Sequence, residues 1–164
     1  EAQDMKLFRL VQNRKKGIVI AVNKWDLVRK ETNTAKEMEK EIRNRLRPFD
    51  DVPVVFTSAV EKIRILQLLD AAMQVYENRS RKIKTSELNN AILPLLDRTP
   101  PPSYRGTFVK MKYITQLPLS YPAFAFFCNH PHAIKEPYRL FIENKMRETF
   151  NFTGTPVAIV FKKK

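Results

Sequence analysis

Four consecutive residues, Asn23-Lys24-Trp25-Asp26, carry side chains suited to recognising a nucleobase. They follow Ile18-Val19-Ile20-Ala21-Val22, apolar on both faces as a strand buried inside a parallel sheet would be. Ligands of open α/β sheets bind just beyond the carboxyl ends of such strands. A carboxylate placed there can accept two parallel hydrogen bonds from adjacent N–H donors. Guanine offers that donor pair at N1 and the 2-amino group, and adenine does not, so Asp26 would select guanine. Asn23 would brace neighbouring loops through its amide, and the methylene stem of Lys24 would lie along the base plane. Taken alone, the four residues are equally a charged turn after a strand.

A second short motif narrows the choice. Pro53 to Thr57 reads as another buried strand, and Thr57-Ser58-Ala59 closes it. The backbone N–H of Ala59 could donate to guanine O6, and the small residues permit that approach. The two motifs, each after a parallel strand and separated by one helix, resemble the paired base-reading signature of GTPases. The guanine-binding candidates are therefore Asn23, Lys24, Asp26, Ser58 and Ala59. Trp25 is expected to stack locally against its neighbours.

The elements that must position these residues follow from periodicity. Met5, Phe8 and Val11 recur every three residues and predict a helix from Asp4 to Lys16, with Gly17 as its stop. Thr34-x-x-Glu37 is a capping box that opens a charged helix to about Leu46. Ile63, Leu66, Leu69, Met73 and Tyr76 mark a further helix ending near Asn78. After the basic connection Arg79–Thr85 the composition shifts towards proline and aromatics. Ser86 can cap a helix over Glu87–Leu96, and Pro100-Pro101-Pro102 enforces an extended linker. Thr107 to Thr115 alternates, with Val109, Met111 and Tyr113 on one face and Lys110 and Lys112 on the other. Tyr121–Cys128 is a second strand. Pro137 opens a helix whose core positions are Tyr138, Ile142, Met146 and Phe150. Thr155–Phe161 is a last strand before the tail Lys162-Lys163-Lys164.

The segments VIAVNKWDLV and TSA resemble the second GTPase domain of the bacterial Der/EngA family of tandem-GTPase ribosome-assembly factors. KMKYITQLPLSYPAFAFFCNHPHAI and YRLFIENKMRETFNFTGTPVAIVFKKK are similar to that family's C-terminal KH-like domain. The resemblance covers nearly the whole chain and is weakest over Ala35–Arg47. It implies an α/β chain in two parts. Residues 1–83 would be the end of a P-loop-type GTPase domain with a parallel sheet, and residues 84–164 a KH-like α+β domain of order α-β-β-α-β. It also implies GTP or GDP with Mg²⁺ in an intact parent, action on the large ribosomal subunit and its rRNA, a cytoplasmic location, and a first GTPase domain as neighbour.

The departures are equally informative. The three glycines, Gly17, Gly106 and Gly154, do not form the Gly-x-x-x-x-Gly-Lys-Ser/Thr cradle that binds phosphates through backbone N–H groups. No DxxG switch sequence is present either. No catalytic residue is expected in this chain, and no nucleotide is expected to stay bound to it. The helix-like, Met-less start reads as a segment of something longer. Neither Gly106 nor Gly154 is followed by a glycine three residues on, so the GXXG clamp by which KH domains hold single-stranded RNA is missing.

Charge offers another route to RNA. Thirty Lys and Arg against 17 Asp and Glu give a net charge of +13. Arg105, Lys110, Lys112, Lys135, Arg139, Lys162, Lys163 and Lys164 are the candidates for contact with RNA or with a neighbouring domain. Each one singly is also an ordinary solvated surface cation. The single cysteine, Cys128, excludes an internal disulfide framework and a metal site built from cysteine pairs, and no metal is expected. No apolar run reaches membrane-spanning length. Two other readings stay open: an RNA-binding adaptor with a structural GTPase remnant, and an unrelated basic α/β protein with an accidental NKxD.

Overall fold

The computed structural model describes residues 2–29 and 33–164. The chain divides into two compact units, residues 1–79 with 153–156, and residues 80–152 with 157–164. The first unit holds helix α1 (Ala2–Asn13), strand β1 (Ile20–Val22), helix α2 (Thr34–Leu46), strand β2 (Val54–Phe56) and helix α3 (Ile65–Ser80). The second holds helix α4 (Thr85–Arg98), strands β3 (Met111–Gln116) and β4 (Ala123–Cys128), helix α5 (Glu136–Phe150) and strand β5 (Ala158–Lys163).

In the first unit β1 and β2 run parallel, with Ile20, Ala21 and Val22 opposite Val54, Val55 and Phe56. Phe8 of α1, Leu46 of α2, Ile18, Phe49 and Val52 form one apolar cluster. The rings of Phe8 and Phe49 stack at 6.0 Å. Three expectations need correction here. First, β1 is not buried on both faces: Ala21 is exposed, and β2 is β1's only strand neighbour among the described residues. Second, α1 ends because Lys15 turns into the left-handed region (φ 54°), with the Lys16 N–H donating to the Val11 carbonyl at 3.2 Å. Gly17 instead answers to packing, since a Cβ there would sit 2.6 Å from Val75 Cγ1. Leu66, Leu69, Met73 and Tyr76 mark a helix as expected; each is 57–76% exposed, and the buried residues of α3 are Val75 and Asn78. Third, Thr34 is the first helical residue of α2 rather than its cap, a position held by Asn33.

In the second unit β4 is central. It pairs antiparallel with β3 and parallel with β5. The short α4, the return through α5 and the parallel β5 give the order α-β-β-α-β expected from the sequence. Phe124, Phe126, Ile114, Leu88, Ile92, Ile142 and Met146 are all fully buried in one core. The four-residue step Tyr138, Ile142, Met146, Phe150 faces that core as predicted. The alternation of β3 does not hold. A bulge between Met111 and Tyr113 resets the register, so Ile114 is buried and Tyr113 joins Lys112 in solvent. Asn89 of α4 fastens that strand from the side: its Oδ1 accepts from the Ile114 N–H at 2.9 Å and its Nδ2 donates to the Ile114 carbonyl at 2.8 Å. The tail is likewise shorter than expected, because Lys162 and Lys163 are strand residues opposite Phe127 and Cys128.

Tyr138 gives this unit an alkaline signature. Its hydroxyl donates to the Thr99 carbonyl at 2.7 Å. Burial, and secondarily the Asp97 charge, push its pKa from 10.0 up to about 12. A folded-state pKa above the unfolded value contributes stability that is full below the unfolded value and is lost as pH rises through the folded one. Between about pH 10 and 12 the second unit should therefore lose stability as the pH rises. Phenolate absorbance in the folded protein should show one late-titrating tyrosine, absent in Tyr138→Phe. A tyrosine set that titrates entirely near pH 10 would contradict this.

Candidate guanine-reading site

The site lies where β1 and β2 end side by side. The Thr57 N–H donates to the Val22 carbonyl at 2.8 Å, and the Trp25 N–H donates to the Thr57 carbonyl at 3.0 Å. These bonds carry the parallel pairing past the strand ends and hold the two motifs in register. Lys24 adopts a left-handed conformation (φ 60°, ψ 35°), turning the chain sharply into a single 3-10 turn over Trp25–Leu27. A lysine tolerates that backbone only where its surroundings enforce it. Here Trp25 supplies the anchor: it is 5% exposed, and its ring lies 4.5 Å from that of Phe56 on β2. The local stacking expected of Trp25 is thus its role in fixing the turn.

Asn23 spans the two loops. Its Oδ1 accepts from the Ala59 N–H at 3.2 Å. The Ala59 N–H, expected to face a base, is engaged by Asn23 in this structure. Guanine O6 would have to share or replace that bond. Ser58 is fully buried and organises its own loop: its Oγ accepts from the Glu61 N–H at 3.1 Å, and its backbone exchanges bonds with Ile63 at 2.9 and 3.2 Å. Sequence reasoning missed the contribution of Arg64, which donates to the Phe56 carbonyl at 3.4 Å and ties the loop's far end to β2. Asp26 is half-buried and has no hydrogen-bond or ion-pair partner among the described residues.

The basic candidates fall into two groups. β3 begins, and β4 and β5 end, at one edge of the second sheet, with Met111 opposite Cys128 and Cys128 opposite Lys163. That edge gathers Lys110, Lys112, Lys162, Lys163 and Lys164, all exposed. Arg105 is exposed in the turn preceding β3. Lys135 occupies the N-cap position of α5, and Arg139, one turn on, is paired with Glu136 at 3.6 Å. Cys128 is buried, and burial raises its thiol pKa, which leaves it inert. Among the described residues, no group of three His, Cys, Asp or Glu could hold a metal, and no helix is long and apolar enough to cross a membrane.

A parallel β-pair that ends in NKxD and SA loops, joined to an α-β-β-α-β unit, defines a guanine-nucleotide-binding domain end followed by a KH-like domain. Residues 1–78 match the GTP-binding domain of elongation factor Tu, and residues 82–162 match the KH-domain-like C-terminal region of EngA bacterial GTPase enzymes. The chain is 51% identical to GTPase Der of Christiangramia forsetii over 164 residues and 49% identical to GTPase Der of Bacteroides thetaiotaomicron over 166. In both cases all of this chain is covered, and it spans 38% of the relative's length. The chain belongs to the Der/EngA family and corresponds to its C-terminal part.

Proposed function

We propose that the first unit reads the guanine base for a GTP hydrolase that acts in assembly of the large ribosomal subunit. The observation that carries this reading is the Asp26 carboxylate, which has no hydrogen-bond or ion-pair partner among the described residues. It belongs to the loop after β1 that Asn23 ties to Ala59 at the carboxyl ends of two parallel strands. Asp26 would accept guanine N1–H and the 2-amino group, Lys24 would cover the ring, and Asn23 would lock the two loops together. A nucleotide's triphosphate would need a Gly-rich cradle, and the 164 residues contain none. The described residues do not fit a Mg²⁺ site either. Phosphate binding, Mg²⁺ and the hydrolytic step belong to other parts of such a hydrolase. Titration of this chain with fluorescent GDP or GTP should accordingly give affinity weaker than micromolar and no turnover above buffer. Micromolar binding or measurable turnover would refute the division of labour.

The second unit supports an RNA role beside it. No Asp or Glu occurs between Asp97 and Glu136, a stretch that includes β3, β4 and the loops at their basic edge. Phosphate neutralisation by Lys110, Lys112 and Lys162–Lys164 would supply affinity without reading sequence. RNA binding should then weaken steeply from about 50 to about 300 mM salt, and Lys110→Glu/Lys112→Glu should flatten the slope. Salt-insensitive binding would refute the charge mechanism.

A further inference from the structure

The sheet edge that carries these cations also carries aromatic rings that the core does not use. Tyr104 and Thr107 close a two-residue turn, each N–H donating to the other's carbonyl at 2.9 Å. Arg105 (φ 49°) and Gly106 (φ 77°) are both left-handed, as a tight primed turn demands. The turn brings the Arg105 guanidinium over the Tyr104 ring, 5.3 Å from its centroid. The opposite loop adds two imidazoles. His130 lies 5.7 Å from Tyr104 and His132 4.9 Å, the latter edge-on at 83°. Asn129 ties the loops together, its Oδ1 accepting from the Lys110 N–H at 2.9 Å and its Nδ2 donating to the Phe108 carbonyl at 2.8 Å. Phe108, held by that bond, is 81% exposed.

A phenylalanine left this open costs apolar hydration and contributes nothing to the core. The stretch between Asp97 and Glu136, which supplies Phe108 and these rings, contains no Asp or Glu. Flat π-faces beside guanidinium and ammonium groups suit an unpaired nucleotide, whose base stacks while its phosphate is neutralised. A duplex would keep its bases stacked on each other and out of reach.

We propose that Tyr104, Arg105, Phe108, His130 and His132 form a base-stacking site for an unpaired nucleotide of single-stranded RNA. It takes the place of the absent GXXG clamp and rests on the RNA reading of this unit. Lys110, one residue past the buried Val109, meets the phosphate.

The test compares this chain's affinity for a single-stranded oligoadenylate decamer with that for an abasic ribose-phosphate decamer, over the same salt range. The oligoadenylate should bind about tenfold more tightly at every salt concentration, with parallel salt slopes. Phe108→Leu and His132→Ala alter exposed side chains and leave the core intact. Each should cut the preference for oligoadenylate without changing the slope. Equal affinity of the unaltered chain for the two probes, or a preference that survives both substitutions, would overturn the stacking site while leaving the charge reading in place. Binding of neither probe at about 50 mM salt would overturn both and point to a protein surface as the partner.

Discussion

Asp26→Asn, made in a full-length protein that carries this segment, should exchange guanine preference for xanthine preference. The carboxylate presents two acceptors to guanine's two donors. The amide presents one acceptor and one donor, which clashes with the 2-amino group and matches the 2-oxo group of xanthine. Two donors that face each other in a partly desolvated site lose a hydrogen bond and leave both groups unsatisfied. Sites that select through such bonds discriminate by roughly 10⁴-fold. The position is suited to a clean readout. Asp26 makes no bond within the described chain, so the substitution removes no internal contact. Trp25 and Asn23, which set the turn and join the loops, remain in place. The measurement is the ratio of GDP to XDP affinity in variant and parent. A ratio unchanged by the substitution would remove Asp26 from base recognition.

The second large effect concerns Gly154. Although distant in sequence, Thr153–Pro156 belongs to the first unit. The Gly154 N–H donates to the Asp51 carbonyl at 2.8 Å, and its own carbonyl accepts from the Ile18 N–H at 2.8 Å. The fully buried Asn78 donates to the Thr153 carbonyl at 3.0 Å, and Thr155 Oγ1 to the Val75 carbonyl at 3.4 Å. Gly154 has φ +74°, and a Cβ there would lie 2.4 Å from Val75 Cγ2, 2.8 Å from the Ile18 carbonyl oxygen and 3.1 Å from Pro53 Cδ. Val75 is buried and β-branched, which limits how far it can yield. The left-handed backbone costs a non-glycine residue about 1–2 kcal/mol. Overpacking adds about 1–3 kcal/mol. Gly154→Ala should thus destabilise the first unit by about 2–5 kcal/mol. Gly106→Ala is the control: its φ is +77°, but nothing lies within 4 Å of the added carbon, so about 1 kcal/mol is expected, and in the other unit. The single tryptophan, Trp25, reports the first unit alone. Its fluorescence midpoint in urea should fall sharply for Gly154→Ala and stay fixed for Gly106→Ala. An unshifted midpoint for Gly154→Ala would show that the loop is not part of that core.

Local chemistry made much of this protein legible from residues alone. A strand followed by a turn of fixed composition announces NKxD and SA. A four-residue apolar step announces α5, and prolines and aromatics mark a change of composition after Ile83. These signals survive because each depends on neighbours only a few residues away. What failed depended on distant residues. Whether Tyr113 or Ile114 faces the core was decided by a bulge against β4, which a period of two cannot reveal. Gly17 read as a helix stop because the sequence does not show Val75 beside it. The apolar stripe Leu66–Tyr76 gave the helix but not its exposure, since periodicity identifies a face but not what covers it. Thr155 read as the start of a strand, whereas tertiary hydrogen bonds with Val75, Asn78, Asp51 and Ile18 hold its segment in the first unit. At the candidate site the sequence by itself determined which side chains could read a base. Tertiary structure decided that Asn23 takes the Ala59 N–H and that Asp26 has no partner among the described residues. Both follow from the 2.8 and 3.0 Å backbone bonds that bring two loops, far apart in the chain, to one end of a parallel sheet.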